Sequence, residues 1–314
     1  MTQGIILTII IAIIVIVAIV FGVSYIAYRM AFYVDRSKPE DVYAMSPGMT
    51  EEDFPKMKAL IDRMMTRECE WVYITAYDGI QLAARYYHVA DGAPLQIHCH
   101  GYRGTSGRDF SGGNKMSHEV GHNALVIDQR GCGRSGGKTI TFGIKERYDV
   151  RRWIDYAIER FGEGVEIMLY GVSMGASTVF MVSGMDLPVN VKGIVADCPF
   201  SEGEKIILKV CRDMKLPPKL MVPFVRFGAK IYGHFNLNET SAVKENKKRK
   251  IPVLLIHGES DSYVPYEMSR ELYDANPENI QFESFPGADH GLSFLSDPAR
   301  YREVINGFIG ECLK

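Results

Sequence analysis

No charged side chain occurs among the first 28 residues of this chain, and no Lys or Arg precedes its apolar run. No C-x-x-C pair occurs among its six cysteines, Cys69, Cys99, Cys132, Cys198, Cys211 and Cys312. Net charge is nearly absent as well, at -2 over 314 residues. Each absence excludes something. Without paired cysteines there is no basis for a zinc ribbon or a dithiol redox motif. Without a basic excess no global field draws the chain to nucleic acid. No internal repeat of roughly 20–50 residues is present, which excludes solenoids and propellers. What remains is 46% hydrophobic and 24% charged, values of a folded chain rather than a disordered or collagen-like one.

The uncharged opening is the first positive feature. It holds 22 hydrophobic residues in 28, and Ile5 to Tyr28 runs almost unbroken. At about 1.5 Å per residue, a helix of this length spans a hydrocarbon core of about 30 Å. The run is too long for the apolar region of a signal peptide. It also lacks a basic leader and a following A-x-A site. Residues 1–33 therefore read as an uncleaved single-pass anchor. Arg29, Arg36 and Lys38 all lie on its C-terminal flank, so the positive-inside rule puts the body in the cytoplasm. Reduced cysteines fit that compartment, and Cys99 falls in an expected core strand, where a thiol acts as a small hydrophobe.

Residues 34–69 read as a linker (34–49) and a lead-in helix. Thr50-x-x-Asp53 resembles a capping box that opens the helix through about Arg67. Residues 70–314 read as one domain. Trp71–Ala76 and Ile80–His88 flank Asp78-Gly79, a hairpin signal. Strands follow at Leu95–Cys99, Ala124–Ile127, Glu166–Tyr170, Val191–Ala196, Val253–His257 and Ile280–Phe285. Helices are expected at Lys145–Phe161, Met174–Val182, Tyr266–Ala275 and Pro298–Cys312. This alternation predicts an α/β fold with a mainly parallel sheet covered by helices on both faces. Residues 202–250 break it. Their length and amphipathic pattern predict a helical lid.

Gly171-Val172-Ser173-Met174-Gly175 follows an apolar strand and opens a helix, the setting of a nucleophile elbow. Gly171 and Gly175 suit a turn too tight for Cβ atoms beside Ser173. A serine hydroxyl needs a base, and the base needs an acid to orient it. Asp261 and His290 follow in the order this fold requires, each just past a strand. Asp197, past the preceding strand, and Asp289, beside His290, are the rival acids. The oxyanion hole would use the backbone N–H groups of Met174 and Tyr102, with Gly101 allowing close approach. His100 reads as a loop-shaping hydrogen-bonder rather than the base.

The series HGYRG, DQRGCGRSGG, GVSMG, HGESDSYVP and ADHG over residues 70–312 resembles the α/β-hydrolase family. It is most similar to the serine-aminopeptidase-like bacterial branch, many of whose members carry an N-terminal membrane helix. The resemblance implies a Ser173–Asp261–His290 triad without metal or organic cofactor. It also implies that the Gly131–Gly136 loop shapes the floor of the site. It leaves substrate open among esters, lipids, thioesters and peptides.

Two motifs mislead. His118-Glu119-Val120-Gly121-His122 matches the zinc-protease H-E-x-x-H pattern, but Gly121 and Asn123 read as a helix end. Gly131-Cys132-Gly133-Arg134-Ser135-Gly136 matches a dinucleotide fingerprint, but no helix opens after it. The lid is basic through Lys205, Lys209, Arg212, Lys215, Lys219, Arg226 and Lys230. It reads as a solvated face, or alternatively as a surface for anionic lipid or an acidic acyl group. Lys244-x-x-Lys247-Lys248-Arg249-Lys250 reads as a solvated turn. The expected activity is cleavage of a carboxylic or lipid ester, with serine peptidase and acyl thioesterase as alternatives. The partners expected are a small or lipid acyl substrate and the membrane, with no nucleic acid. A non-catalytic module of the same fold is the rival from another class.

Overall fold

The computed structural model describes residues 2–37, 41–46 and 48–314. Lys38, used above for orientation, and part of the expected linker lie outside the described residues. The chain opens with α1 (Thr2–Ala31) and α2 (Phe54–Thr66), followed by the hairpin strands β1 (Glu70–Thr75) and β2 (Gln81–Tyr87). Next come β3 (Leu95–Cys99), α3 (Ser106–Asp109), α4 (Ser111–Glu119), β4 (Asn123–Asp128), α5 (Glu146–Phe161), β5 (Ile167–Val172) and α6 (Met174–Ser183). Then β6 (Val191–Asp197), α7 (Gly203–Asp213), α8 (Pro218–Ile231), α9 (Ala242–Asn246) and β7 (Val253–Gly258) follow. The chain closes with α10 (Glu267–Ala275), β8 (Ile280–Phe285), α11 (Ser293–Ser296) and α12 (Pro298–Cys312).

Among the described residues, eight strands form one sheet in the order β1-β2-β4-β3-β5-β6-β7-β8. All neighbours from β4 to β8 are parallel, and the β1–β2 hairpin joins antiparallel at the β4 edge. The hairpin register pairs Thr75 with Gln81 across Asp78-Gly79, where Gly79 takes φ 83. The central strands are buried at every position, as a sheet covered on both faces requires. Successive side chains alternate between two cores. Leu125 and Ile127 face Trp153 of α5 and Val179 of α6. Val126, Met168 and Val195 face Met64 of α2, Met116 of α4 and Phe308 of α12.

The first helix is long and apolar enough to cross a membrane. Its residues Ile5 to Ile19 are exposed, whereas Ser24, Tyr28 and, just beyond its end, Phe32 are buried in the body. The backbone of α1 meets α8 closely: a Cβ on Gly228 would lie 2.4 Å from the Ser24 carbonyl oxygen. Phe21 packs edge-on against Phe227, and Tyr25 against Tyr232. Phe32 sits between Phe142 and Phe235.

Four expectations need correction. The described part of the expected linker is docked: Tyr33 bridges Thr139, Val34 N–H donates to the Lys138 carbonyl, and the Arg36 guanidinium reaches the Gly133 and Ser135 carbonyls. The capping pair is real, with Asp53 N–H on Thr50 Oγ1 at 3.2 Å, but the α-helix proper starts at Phe54. Only α7 and α8 behave as an insertion, because α9 packs beneath α6 and α10 as part of the core. Arg249 is buried rather than solvated. Its guanidinium donates to Asn246 Oδ1 and to the carbonyls of Ile251, Asn276 and Glu278, which clips the chain before β7. Of the seven lid cations, three form ion pairs: Lys205 with Glu202 and Glu271, Lys209 with Asp213, and Arg226 with Glu204.

Candidate active site

The site grows out of the β5–α6 turn. Ser173 sits between strand and helix at φ 55, ψ −117, a conformation that L residues seldom adopt. The two flanking glycines make that turn possible. A Cβ on Gly175 would fall 1.8 Å from the Cys99 carbonyl oxygen, and one on Gly171 would fall 2.4 Å from the Gly175 backbone. The Ser173 N–H donates to the Asp197 carbonyl at 2.8 Å, tying the turn to the end of β6.

The loops after β7 and β8 end at the same edge of the sheet and bring the other two expected residues to Ser173. His290 Nε2 lies 2.9 Å from Ser173 Oγ, and its Nδ1 lies 2.7 Å from Asp261 Oδ2. All three side chains are largely buried. Asp261 is held from several sides. Its Oδ1 accepts the N–H groups of Tyr263 at 2.9 Å and Val264 at 2.7 Å, and His257 Nε2 stands 3.2 Å from its Oδ2. Burial alone would raise the Asp261 carboxyl. Hydrogen bonds from His257 and His290 outweigh it and hold the group well below the usual carboxylate range. With Asp261 ionised, His290 carries its proton on Nδ1 and presents Nε2 to the serine hydroxyl.

The rival acids have other partners. Asp197 Oδ2 accepts the Tyr301 hydroxyl at 2.8 Å, and Tyr301 in turn meets the Tyr170 hydroxyl. Burial pushes the Asp197 carboxyl up to about 6. Asp289 accepts from the N–H of Ser262 at 2.8 Å and of His290 at 2.7 Å, so it pins the two catalytic-side loops together. Cys198 Sγ lies within 4.8 Å of the Asp261 and His290 ligand atoms, but burial raises its thiol far above the ordinary value and keeps it neutral.

Above Ser173, the loop after β3 runs past the hydroxyl. Gly101 is so close that a Cβ there would lie 3.3 Å from Ser173 Cβ. As the first residue of α6, Met174 has no intrahelical acceptor for its N–H. Among the described residues, neither the Met174 nor the Tyr102 N–H donates to a backbone carbonyl. His100 is buried, with Nδ1 at 2.8 Å from the Gly101 carbonyl and Nε2 accepting the Gln129 N–H at 2.9 Å.

Sequence reasoning missed two supports. Asp109 Oδ2 accepts the Gly101 N–H at 2.8 Å, and Arg108 Nε donates to its other oxygen at 2.6 Å. Burial would raise this carboxyl, but the charge of Arg108 brings it below the ordinary value. His257 braces Asp261 from beneath, its Nδ1 on Ser269 Oγ at 2.6 Å. Asp109 ends the one-turn helix α3 and His257 stands near the end of β7, where no periodicity marks a residue for a task.

The misleading motifs resolve on geometry. Gly121 at φ 77 ends α4. His118 then contacts Arg67, while His122 contacts Gln96. The Gly131–Gly136 loop closes on itself and on Gln81, away from the cavity beside Ser173, which corrects its expected place in the site's floor. That cavity measures about 330 Å³ and is walled by Met49, Met57, Leu60, Phe110, Leu292 and Phe294, with Tyr170, Asp197 and Tyr301 among its polar lining.

Comparison with known proteins agrees with this architecture. The description "alpha/beta hydrolase fold" matches residues 97–231, and "Serine aminopeptidase, S33" matches residues 225–297. The chain has the α/β-hydrolase fold. The chain is 25% identical to protein YqkD of Bacillus subtilis (strain 168) over 93% of this chain and 94% of that protein. In fold it is similar to the Pyrococcus furiosus esterase Pf2001, with TM-score 0.67, 22% identity, and coverage of 89% and 98% of the two chains. It is also similar to Est1E from Butyrivibrio proteoclasticus with bound ferulic acid, with TM-score 0.61, 24% identity, and coverage of 77% and 99% of the two chains.

The raised Asp197 carboxyl has a sign that can be tested. A folded-state value of about 6 against an ordinary 3.8 means that the folded state resists ionisation of this group. Its contribution is neutral below about 4, turns unfavourable as pH rises through that window, and is fully unfavourable above about 6. Asp197→Asn should therefore match wild type in thermal stability near pH 4 and exceed it at pH 8 by on the order of 1–3 kcal/mol. A difference that is flat with pH in thermal melts would contradict this.

Proposed function

We propose that this α/β hydrolase is a membrane-anchored serine esterase that cleaves carboxylic esters through an acyl-enzyme on Ser173. One observation carries the reading: the continuous hydrogen-bonded run from Ser173 Oγ through His290 to buried Asp261, set beside a mostly apolar cavity. Ser173 Oγ attacks the acyl carbonyl carbon while His290 Nε2 takes the hydroxyl proton. The carbonyl π pair moves onto oxygen, where the Met174 and Tyr102 N–H groups receive it. Collapse of the tetrahedral species breaks the ester C–O bond, and His290 returns its proton to the leaving alkoxide. Water then attacks the acyl-enzyme with His290 again as base, releasing the acid and restoring Ser173. Asp261 keeps the imidazole in the right tautomer and balances its positive charge.

A cavity of about 330 Å³ walled by methionine, leucine and phenylalanine fits a medium-length acyl or aromatic group. The ferulic acid bound to Est1E is an aromatic acid, in keeping with that class. A second reading, a serine aminopeptidase, has two supports: the match over residues 225–297 and the Asp197 carboxylate in the cavity wall. The ester reading is preferred because Asp197 already engages Tyr301 and its burial disfavours charge.

With chromogenic esters of graded acyl length against aminoacyl amides, wild type should favour esters of medium length. Ser173→Ala should lower turnover by on the order of 10³-fold or more. Near-wild-type esterase turnover in Ser173→Ala would overturn the assignment of the nucleophile, and faster amide cleavage would favour the peptidase.

In the same reading α1 is the retained membrane span and the body lies on the cytoplasmic side, supported by Arg29 and Arg36 at its C-terminal flank. External protease should leave the body intact in whole cells and digest it after permeabilisation. Digestion in unbroken cells would reverse the orientation.

A further inference from the structure

The C-terminal end of α1 lies against the loop that passes over Ser173. A helix end leaves its last carbonyl groups without intrahelical donors, and carries the negative end of the helix dipole. Here two consecutive loop residues supply the donors. Tyr102 Oη donates to the Ala31 carbonyl at 2.9 Å. Arg103 Nη2 donates to the carbonyls of Met30 at 3.0 Å and Tyr33 at 2.9 Å. Arg103 takes a left-handed backbone, φ 49, to reach them, and the Tyr102 ring packs on Phe142, which also packs on Phe32.

The other side of this loop is fixed as well. Asp109 holds the Gly101 N–H, and the Gly104 N–H closes a turn onto the Gly101 carbonyl at 3.1 Å. The segment 101–104 is therefore gripped between Asp109 on the body and the end of the apolar helix. The peptide between the grips carries the Tyr102 N–H. From this we infer that the end of α1 is a positioning element of the oxyanion hole, acting through Tyr102 Oη and Arg103. The inference rests on the esterase reading above.

Two consequences follow from the geometry. Removal of α1 through residue 33 takes away all three carbonyl acceptors, so a mature form lacking the helix would have a misplaced oxyanion loop. The helix also packs on α8 at Ser24 and Gly228, so one element braces both the lid and the oxyanion loop. A small displacement of oxyanion donors is felt chiefly in the transition state, because the developing charge is what they bind.

The test uses the full-length chain in detergent, with Arg103→Ala, Arg103→Lys and Tyr102→Phe. Arg103→Ala should lower kcat by about tenfold or more with KM within about twofold. The inhibition constant of a boronic acid, which forms a tetrahedral adduct on serine, should rise by a similar factor. Arg103→Lys should recover part of both, and thermal midpoints should stay at the wild-type value. Wild-type kcat and boronic-acid affinity in folded Arg103→Ala would overturn the inference. So would a change confined to KM. If Arg103→Ala fails to fold, Tyr102→Phe decides the matter, since it removes one hydroxyl and keeps the ring on Phe142. The esterase reading fails separately, through an active Ser173→Ala, whatever the Arg103 variants do.

Discussion

The turn that carries Ser173 out of β5 and into α6 is the constraint around which the rest is arranged. Its backbone sits at φ 55, a placement that costs on the order of 1–3 kcal/mol and persists only where surrounding packing leaves no alternative. Gly171 and Gly175 provide the space, with the Cys99 carbonyl pressed where a side chain on Gly175 would be. Because β5, β7 and β8 are parallel, their C-terminal ends share one edge, and loops after them converge there without long excursions. Asp261 and His290 need only short loops to reach the serine.

Electrostatics then assigns the roles. Asp261 and Asp197 are both buried carboxylates near His290, yet their environments push them in opposite directions. Asp261 receives two backbone N–H groups and faces two imidazoles, so it stays ionised. Asp197 receives a tyrosine hydroxyl and is raised by burial. The difference lies in the number of donors each carboxylate meets, since burial alone acts on both in the same direction. The loop over the serine is stabilised by the same logic: a buried Asp109–Arg108 pair turns one carboxylate oxygen to the Gly101 N–H.

Much of the fold was legible in the sequence. Every expected strand appears with ends within a residue or two, because runs such as Ala124–Ile127 are apolar, short and bounded by polar residues. Ser173, Asp261 and His290 could be picked out because each follows such a strand in a fixed order. Other features were not legible, for physical reasons. Nothing in a run of lysines marks Arg249 as the one that turns inward to four acceptors. Asp109 and His257 matter only through loops packed against them. The long apolar helix α1 was legible from its hydropathy, but hydropathy says nothing of where its last turn docks. The end of this helix reaches the core through Phe32 and meets the loop after β3 through its carbonyls.

The picture is of one α/β-hydrolase-fold body built directly onto the end of an apolar helix, with Ser173, His290 and buried Asp261 joined in one hydrogen-bonded run. Its central claim is that Ser173 is a nucleophile activated by His290. Labelling of the folded full-length chain with a fluorophosphonate, followed by mass mapping of the modified peptide, tests it most directly. The account predicts a single adduct on Ser173, formed only by the folded chain and strongly slowed in His290→Ala. An unmodified Ser173 in folded wild type, or an adduct on a different serine, would contradict it.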